Sequence, residues 1–303
     1  NISIKYGNMK SNPFASFEIG NMLDENYENI VLHKDIVDKI ILSTSKGSPM
    51  KREKDIIDVW FESGAMPYAQ IHYPFENKDL IDKQINFPAD FIAEGVDQTR
   101  GWFYTLHAIS CLSFNSISYK NVISNGLVLD KNGQKMSKRL GNTIDPFEMI
   151  NVYGADAVRW YMISNSNPWD NLKFDKEGVA EVKRKFFGTL QNVYSFFSLY
   201  ANIDNFKYEE DKIDFVKRPE LDRWIISELN SLVKKVDYNL ENYDLTPAAR
   251  EINDFVQEKL SNWYVRLSRR RFWKGEYNQD KISAYQTLHE CLIKISKLIS
   301  PIA

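Results

Sequence analysis

The sequence lacks the features that define several large classes of protein. Its 303 residues include only two cysteines, Cys111 and Cys291, and their spacing fits neither a redox pair nor a metal site. Two isolated thiols are typical of a reducing compartment such as the cytoplasm. The four histidines have no zinc-like spacing, and no apolar run reaches the length of a membrane span. No Ser/His/Asp or Cys/His set is evident, so the residues do not indicate a hydrolase.

Net charge is also nearly absent. The 39 basic and 41 acidic side chains give a formal net charge of -2, so the chain as a whole is no polycation. A nucleic-acid partner would therefore have to meet a local basic patch. Hydrophobic residues make up 43% of the chain and aromatic residues 14%, which is enough to fill a globular core and argues against disorder.

The residue pattern divides the chain into three parts. Residues 1–50 are polar, with short β-like runs at 30–32 and 40–42, and we interpret them as a peripheral segment or the tail of an insertion. From 51 to 165 short apolar runs alternate with helical stretches, which predicts βαβ units and a parallel sheet. Residues 166–303 have an almost purely helical pattern. The sequence therefore predicts an α/β part followed by an all-α helical bundle.

Residues 131–142, KNGQKMSKRLGN, follow a predicted strand and carry four cations interleaved with glycine and serine. Lysine supplies a compact charge with several donors, and glycine lets the backbone hinge and approach a ligand closely. A loop of this composition can close on a polyphosphate. A solvated basic loop without a ligand has the same composition, so the residues alone leave both interpretations open.

Residues 93–103, AEGVDQTRGWF, run from the end of a predicted strand into a helix that we expect over 98–112. Glu94, Asp97 and Gln98 would then lie at the carboxyl edge of a parallel sheet, where open α/β folds bind ligands. Carboxylates at that edge can accept hydrogen bonds from an ammonium group or from ribose hydroxyls. Asp97 could equally be the N-cap of the helix.

Two further segments are rich in aromatic side chains. Residues 58–65, DVWFESGA, place Trp60 beside Phe61, and such a pair forms either the wall of an apolar pocket or, more often, part of a core. Residues 260–274 combine five cations with four aromatics, a composition suited to RNA because arginine binds phosphate and stacks on bases. The alternative is a helix with buried aromatics whose arginines pair with acidic neighbours.

Two helical patterns carry structural predictions. Asp156 and Arg159 stand three residues apart, a spacing that predicts an ion pair on one helix face. Apolar residues of 248–267 recur at three- and four-residue intervals, which predicts one buried stripe. The stripe consists of Ile252, Phe255, Val256, Leu260, Trp263 and Leu267.

Taken in order, four segments resemble the class I aminoacyl-tRNA synthetases, and within that class the isoleucine-specific branch. The segments are DVWFESGAMPYAQ (58–70), AEGVDQTRGWFYTLHA (93–108), KMSKRLGN (135–142) and LSNWYVRLSRRRFW (260–273). The resemblance covers roughly residues 30–303. It implies the second half of a Rossmann-like nucleotide-binding domain over 51–165. A helical tRNA-binding and anticodon-binding domain, truncated at its C-terminus, would follow over 166–303.

The resemblance implies a two-step reaction, in which ATP with Mg²⁺ activates isoleucine as an adenylate and tRNA(Ile) then accepts the acyl group. It also implies a cytoplasmic monomer with no membrane partner, no tightly bound cofactor and no zinc site. Lys135 and Lys138 would be catalytic, because they match the lysines that hold the triphosphate and stabilise the departing pyrophosphate. The remaining residues that it implies are Glu94, Gly95, Asp97, Gln98, Gly126, Leu127, Val128 and Lys138 for ATP and the adenylate, Trp60 and Trp102 for the isoleucine pocket, and Arg266, Arg269, Arg270, Arg271 and Lys274 for tRNA.

The chain also departs from the family pattern. The loop reads KMSKR, with Arg139 where the family has serine, and Glu62 stands where aspartate is common. The His-Ile-Gly-His motif and the editing insertion are missing, so we expect this chain alone neither to form adenylate nor to edit. Together with ends that look cut, these features predict a piece of a longer enzyme. The alternatives are a synthetase-like RNA-binding module without catalysis and a valine-specific synthetase.

Overall fold

A computed structural model describes residues 2–18, 20–21, 23–28, 33–55, 58–274 and 276–303. The chain divides into two compact units, Asn1–Glu76 and Asn77–Ala303. The β-like run predicted at 30–32 lies outside the described residues.

The first unit contains only short elements. They are α1 (Ile2–Lys5), α2 (Asp24–Tyr27), α3 (Lys34–Val37), β1 (Leu42–Ser43), β2 (Pro49–Met50), α4 (Val59–Gly64) and α5 (Met66–Ala69). The strands β1 and β2 pair antiparallel, and the β-like run predicted at 40–42 ends in β1. Helix α4 begins after Asp58, whose Oδ1 accepts hydrogen bonds from the N–H groups of Trp60 (2.8 Å) and Phe61 (3.2 Å). This N-cap satisfies two donors that the first turn leaves unpaired.

The α/β part of the second unit contains two parallel strand pairs. Its elements are α6 (Lys78–Asp82), β3 (Ala89–Gly95), α7 (Trp102–Phe114), β4 (Tyr119–Asn125), β5 (Val128–Leu129), α8 (Pro146–Tyr153), α9 (Ala155–Asn165) and β6 (Leu172–Lys173). Strand β3 pairs with β4, and β5 pairs with β6, both in parallel register. The predicted parallel sheet is confirmed. The helix predicted over 98–112 begins later, at Trp102, because Val96–Arg100 forms a 3₁₀ helix that ends at Gly101.

The remainder of the second unit, from Lys176, is helical, but the helical part predicted over 166–303 also contains β6, which belongs to the parallel sheet because it pairs with β5. Its helices are α10 (Lys176–Val182), α11 (Gly188–Ile203), α12 (Glu220–Glu241), α13 (Leu245–Asp254), α14 (Arg266–Trp273) and α15 (Gln279–Ile299). The π-helical segments Lys183–Phe187 and Phe255–Val265 connect α10 to α11 and α13 to α14. One large apolar cluster, which includes Ile225, Val256 and Ile295, forms the core of this bundle. Each such side chain contributes roughly 1.5–3 kcal/mol by its burial.

The π-helical segment Phe255–Val265 changes which residues of this helix are buried. The predicted stripe is correct as far as Leu260, but Trp263 and Leu267 are 59% and 53% exposed. A π-helix bonds residue i to i+5, so its turns are wider than the 3.6-residue period from which the stripe was predicted. After Leu260 the buried positions are therefore displaced, and Tyr264 takes the place expected for Trp263.

The predicted ion pair between Asp156 and Arg159 is wrong. Arg159 Nε donates to the carbonyl oxygen of Ile302 (2.6 Å), and no ion pair joins it to Asp156 among the residues described. The end of α9 is likewise held by the bundle, because Arg250 donates to the carbonyl oxygens of Ser164 and Asn165, both at 2.8 Å. Long-range partners satisfy carbonyls that a helix end leaves unpaired.

Two kinds of feature are absent from the described part of the chain. None of its helices combines the length and the apolar character that a bilayer crossing requires. Within the same residues, no three histidine, cysteine or acidic side chains come together as a metal site would need.

Candidate functional site

The carboxyl ends of β3 and β4 form one edge of the parallel sheet. Glu94 lies opposite Ser124, and Gly95 lies opposite Asn125. The exposed Glu94 side chain accepts a hydrogen bond from the N–H of Gly95 (2.9 Å). The hydroxyl oxygen of Ser124 is buried and has no hydrogen-bond partner among the described residues. The edge therefore presents the Glu94 carboxylate to a polar ligand, while the Ser124 hydroxyl lies below the surface.

The 3₁₀ helix Val96–Arg100 carries Asp97 and Gln98 at this edge. Asp97 caps no helix, since its carboxylate accepts a hydrogen bond from Gln98 Nε2 (3.1 Å). Gln98 Oε1 accepts from the N–H of Trp102 (2.9 Å) and so satisfies a donor at the start of α7. The interpretation of Asp97 as the N-cap is thus wrong, and its carboxylate stays exposed at the sheet edge.

Gly126 lies where the connection from β4 to β5 passes close to another backbone segment. A Cβ atom on Gly126 would lie 2.3 Å from the carbonyl oxygen of Asp170, so no larger residue fits. The N–H of Leu127 donates to Asn171 Oδ1 (2.8 Å), and Val128 begins β5. The residues predicted to lie beside adenine are these three, Gly126, Leu127 and Val128. They form a connection that the facing residues Asp170 and Asn171 hold in place.

The loop after β5 is closed by hydrogen bonds between its two ends. Asp130 Oδ1 accepts from the N–H groups of Asn132 (2.9 Å) and Gln134 (2.8 Å). Asp130 Oδ2 accepts from Asn142 Nδ2 (2.9 Å), and Asn142 Oδ1 accepts from the N–H of Ser137 (2.8 Å). The hydrogen bond from Asn142 and those from the backbone lower the pKa of Asp130, so its carboxylate is ionised at neutral pH.

Among the described residues, the cations of this loop have no acidic partner. Each is exposed, and in the part of the chain that the structure describes none forms an ion pair: Lys131, Lys135, Lys138 and Arg139. Met136 is half-buried against a small apolar cluster around Met149, and it anchors the middle of the loop. The loop therefore presents free positive charge on a backbone that is tied down.

Lys135 and Lys138 are evident from the sequence, but the roles of Asp130 and Asn142 are not. Asn132 and Gly133, shortly after Asp130, are residues that indicate a turn in the sequence. Gly133 has the positive φ of 82° that such a turn requires. No local pattern connects Asp130 with Asn142, because they are twelve residues apart.

Trp60 belongs to the first unit and Trp102 to the second. Trp60 and Phe61 are 47% and 54% exposed, so the interpretation of this pair as core is wrong. Trp102 is half-buried at the start of α7, with its ring centroid 6.2 Å from that of Phe103. Their assignment to an isoleucine pocket stays a prediction.

The arginine-rich helix α14 and the residue that follows it expose most of their cations. Four of the five predicted tRNA contacts are exposed and form no ion pair among the described residues: Arg266, Arg269, Arg270 and Lys274. Trp263 and Trp273 are exposed beside them, while Tyr264 and Phe272 are buried. Neither alternative from the sequence holds in full, because residues 260–274 bury two of their aromatics and expose the other two together with most of the cations.

Arg271, the fifth predicted tRNA contact, points inward. Its Nη1 and Nη2 donate to the two carboxylate oxygens of the buried Asp222, at 2.6 and 2.9 Å. Its Nε donates to Asp280 (3.0 Å), and its side chain is only 16% exposed. Burial lowers the pKa of Arg271, but the hydrogen bonds and charge of Asp222 outweigh that effect and raise it. The structure thus gives Arg271 an internal ion pair in place of the predicted outward contact.

Solved structures identify the fold. Mycobacterium tuberculosis methionyl-tRNA synthetase in complex with methionyl-adenylate matches with a TM-score of 0.67 at 17% identity, over 80% of this chain and 47% of that chain. The Agrobacterium radiobacter K84 LeuRS–tRNA complex matches with a TM-score of 0.61 at 19% identity, over 86% of this chain and 33% of that one. The fold is therefore the one found in class I synthetases.

Sequence comparisons define the family. The model for tRNA synthetases class I (I, L, M and V) matches residues 10–175, and the model for the anticodon-binding domain of tRNA ligase matches residues 222–303. Because the first match covers more than half of the chain, the chain belongs to the class I tRNA synthetases of the I, L, M and V group.

Its curated relatives include isoleucine–tRNA ligases. That of Bacteroides fragilis is 63% identical over 303 residues, which is 99% of this chain and 27% of the relative. That of Porphyromonas gingivalis is 62% identical over 301 residues, 99% of this chain and 26% of the relative. The chain spans about 27% of the length of the curated relatives that it matches.

Proposed function

We propose that the complete protein is an isoleucine–tRNA ligase, which activates isoleucine with ATP and transfers it to tRNA(Ile). The choice of isoleucine is supported by relatives of that name that are 62–63% identical over 99% of the chain. The observation that carries the chemistry is the closed loop after β5, which presents Lys135 and Lys138 without an acidic partner among the described residues.

In the first step an oxygen of the isoleucine carboxylate attacks the α-phosphorus of ATP. The bond from that phosphorus to the oxygen bridging to the β-phosphate breaks, and pyrophosphate leaves with the electron pair. Negative charge grows on the leaving group, and Lys135 and Lys138 neutralise it there. Mg²⁺ enters this proposal as the counter-ion of the ATP substrate.

The edge of β3 and β4 would hold the adenylate. Glu94 and Asp97 are exposed carboxylates, which suits them to accept hydrogen bonds from the α-ammonium group and the ribose hydroxyls. The neighbouring Gly95 and Gln98 would line the same pocket, Gly126, Leu127 and Val128 would bracket adenine, and Trp60 and Trp102 would contact the isoleucine side chain.

The exposed cations of α14 would bind the tRNA backbone. Arg266, Arg269 and Arg270 offer guanidinium donors to phosphate, and Lys274 adds a fourth charge at the end of the helix. Arg271 would act through Asp222 by holding this helix in place. Binding of this kind weakens steeply with salt, because each contacted phosphate releases counter-ions. As the resemblance implies, we expect the enzyme to be a cytoplasmic monomer.

The test is isoleucine-dependent ATP–pyrophosphate exchange by the complete protein. We expect Lys138→Ala to lower the exchange rate by roughly 100-fold or more, the loss typical when one charge-stabilising donor is removed. Lys120→Ala is the matched control, because Lys120 is an exposed lysine that pairs with Asp90 (2.7 Å) at the surface. Equal rates for both variants would contradict the role of the loop.

The same assay separates the two alternatives. Exchange that depends on valine instead of isoleucine would indicate a valine-specific enzyme. No exchange at saturating isoleucine, with tRNA binding retained, would indicate an RNA-binding module without catalysis.

A further inference from the structure

The hydrogen bond between Asp130 and Asn142 joins the two ends of the cationic segment. Asp130 directly follows β5, and Asn142 follows Gly141, whose φ of 65° turns the chain back. Asp130 Oδ2 and Asn142 Nδ2 are 2.9 Å apart, and all four loop cations lie between these two residues in the chain. We call this pair the Asp130–Asn142 clamp.

Asn142 also holds the backbone on which the two lysines stand. Its Nδ2 donates to the carbonyl oxygen of Lys135 (3.3 Å), and its Oδ1 accepts from the N–H of Ser137 (2.8 Å). Ser137 directly precedes Lys138, and its Oγ accepts from the N–H of Leu140 (3.3 Å) at the start of the 3₁₀ turn. One asparagine side chain therefore fixes the two consecutive peptide groups that join Lys135 to Met136 and Met136 to Ser137, between the two lysines.

The clamp also occupies the Asp130 carboxylate with neutral hydrogen-bond donors. An ionised carboxylate beside a lysine-rich loop would ordinarily form an ion pair with it and neutralise its charge. Here the two oxygens accept from neutral donors, the N–H groups of Asn132 and Gln134 and the amide of Asn142. The charges of Lys135 and Lys138 consequently remain available to a phosphate.

We infer that Asp130 and Asn142 are positioning residues for the adenylation step, because their clamp fixes the loop backbone that presents Lys135 and Lys138. The inference rests on the proposed function. A turn with a purely local role would need only the two backbone hydrogen bonds to Asp130 Oδ1. The bond to Asn142 spans twelve residues and ends at the lysine-bearing backbone.

The first test compares Asn142→Ala with Asn121→Ala in the complete protein. Asn121 is a matched control, since its Nδ2 also bridges to a distant backbone group, the carbonyl oxygen of Asp90 (2.9 Å), but on the sheet. We expect Asn142→Ala to lower kcat in pyrophosphate exchange by roughly 10- to 100-fold with little change in the KM for isoleucine, because a catalytic group is displaced while the amino-acid pocket is intact. Trypsin should also cut faster at the loop lysines of this variant.

The second test reverses the clamp. Asn142→Asp alone brings two carboxylates together. Asp130→Asn alone directs its amide donor at the amide donor of Asn142. Each single variant should therefore lower kcat. The double variant, Asp130→Asn with Asn142→Asp, restores a carboxylate–amide pair. Its kcat should be at least about tenfold higher than that of the slower single variant. It should stay below the kcat of wild type, because the donor to the Lys135 carbonyl is lost.

The outcomes separate this inference from the proposed function. A wild-type protein without exchange activity overturns the proposed function and the inference with it. Active wild type together with wild-type kcat and trypsin sensitivity in Asn142→Ala overturns only the inference. A double variant as slow as the slower single variant would likewise overturn it, because the contact itself would then have no effect on kcat.

Discussion

Replacing Arg271 by alanine should destabilise the helical bundle, because its guanidinium neutralises a carboxylate inside the core. The Asp222 side chain has no exposed surface, and Arg271 donates to both of its oxygens. Without Arg271, the donors left to this carboxylate are the hydroxyls of Tyr264 (2.9 Å) and Ser283 (2.6 Å). Burial, with the Asp222 charge adding to it, raises the pKa of Tyr264 far above its ordinary value, so this group donates a hydrogen bond but carries no compensating charge.

The expected loss of stability follows from the buried Asp222 charge that the substitution leaves unpaired. Removing one partner of a buried pair typically costs about 3–5 kcal/mol, because the other charge stays buried and unpaired. The additional contact of Arg271 with the half-exposed Asp280 adds at most about 1 kcal/mol. A loss of this size is a large fraction of the roughly 5–15 kcal/mol by which domains are stable.

The assay is hydrogen exchange of α12 and α15 in the complete protein, which reports the local free energy of opening. Arg270→Ala is the control, because Arg270 is exposed and forms no ion pair in the described part of the chain. It should change the free energy of opening by no more than about 0.5 kcal/mol. It should nevertheless reduce the salt dependence of tRNA binding by the amount expected for the loss of about one phosphate contact. Protection of Arg271→Ala within about 1 kcal/mol of wild type, with tRNA binding weakened to the same extent as in Arg270→Ala, would refute the buried-pair reasoning.

Two further predictions concern other parts of the second unit. Gly126→Ala should lower the thermal midpoint, because the new methyl group collides with a facing carbonyl and overpacking costs about 1–3 kcal/mol. Gly188→Ala is its control, since the nearest atom to a Cβ there is 3.4 Å away, and equal midpoints would contradict the collision. Burial raises the pKa of Asp204, but hydrogen bonds from Lys281 and Tyr285 outweigh that effect and lower it. Asp204 therefore stabilises the fold fully above its unfolded pKa of about 4, and this contribution is lost as the pH falls through the lower folded value. The urea midpoints of wild type and Asp204→Asn should converge below about pH 4, and a constant difference would contradict this.

The features that could be predicted from the sequence are those that neighbouring residues determine. The parallel strands, the cationic loop and the helical second part all show in local alternation, spacing and charge. Gln98 shows the limit of this reasoning, because its hydrogen bond from the first N–H of α7 depends on where the 3₁₀ helix ends. The exposure of Trp263 depends likewise on a π-helical segment for which the apolar spacing carries no signal.

The partnerships that no local pattern reveals are long-range and electrostatic. Arg271 and Asp222 are 49 residues apart, and four neighbouring cations have the same local surroundings, so nothing near Arg271 marks it as the internal one. The net charge of the chain is uninformative for a related reason. A total close to zero does not show which carboxylates already have ion-pair or hydrogen-bond partners inside the fold.

The placement of carboxylates explains how a chain with a net charge of -2 can present two groups of exposed cations that form no ion pair among the described residues. At the loop, Asp130 accepts only from neutral donors, and among the described residues it forms no ion pair with a loop lysine. At α14, Asp222 is buried, and Arg271 neutralises it below the surface. Coulomb interactions fall with distance and are screened within about 10 Å at 0.1 M salt, so the remaining acidic residues weaken these patches only where they lie nearby. The ion pairs and hydrogen bonds of nearby carboxylates, and not the total charge, therefore decide where such a protein can bind phosphate.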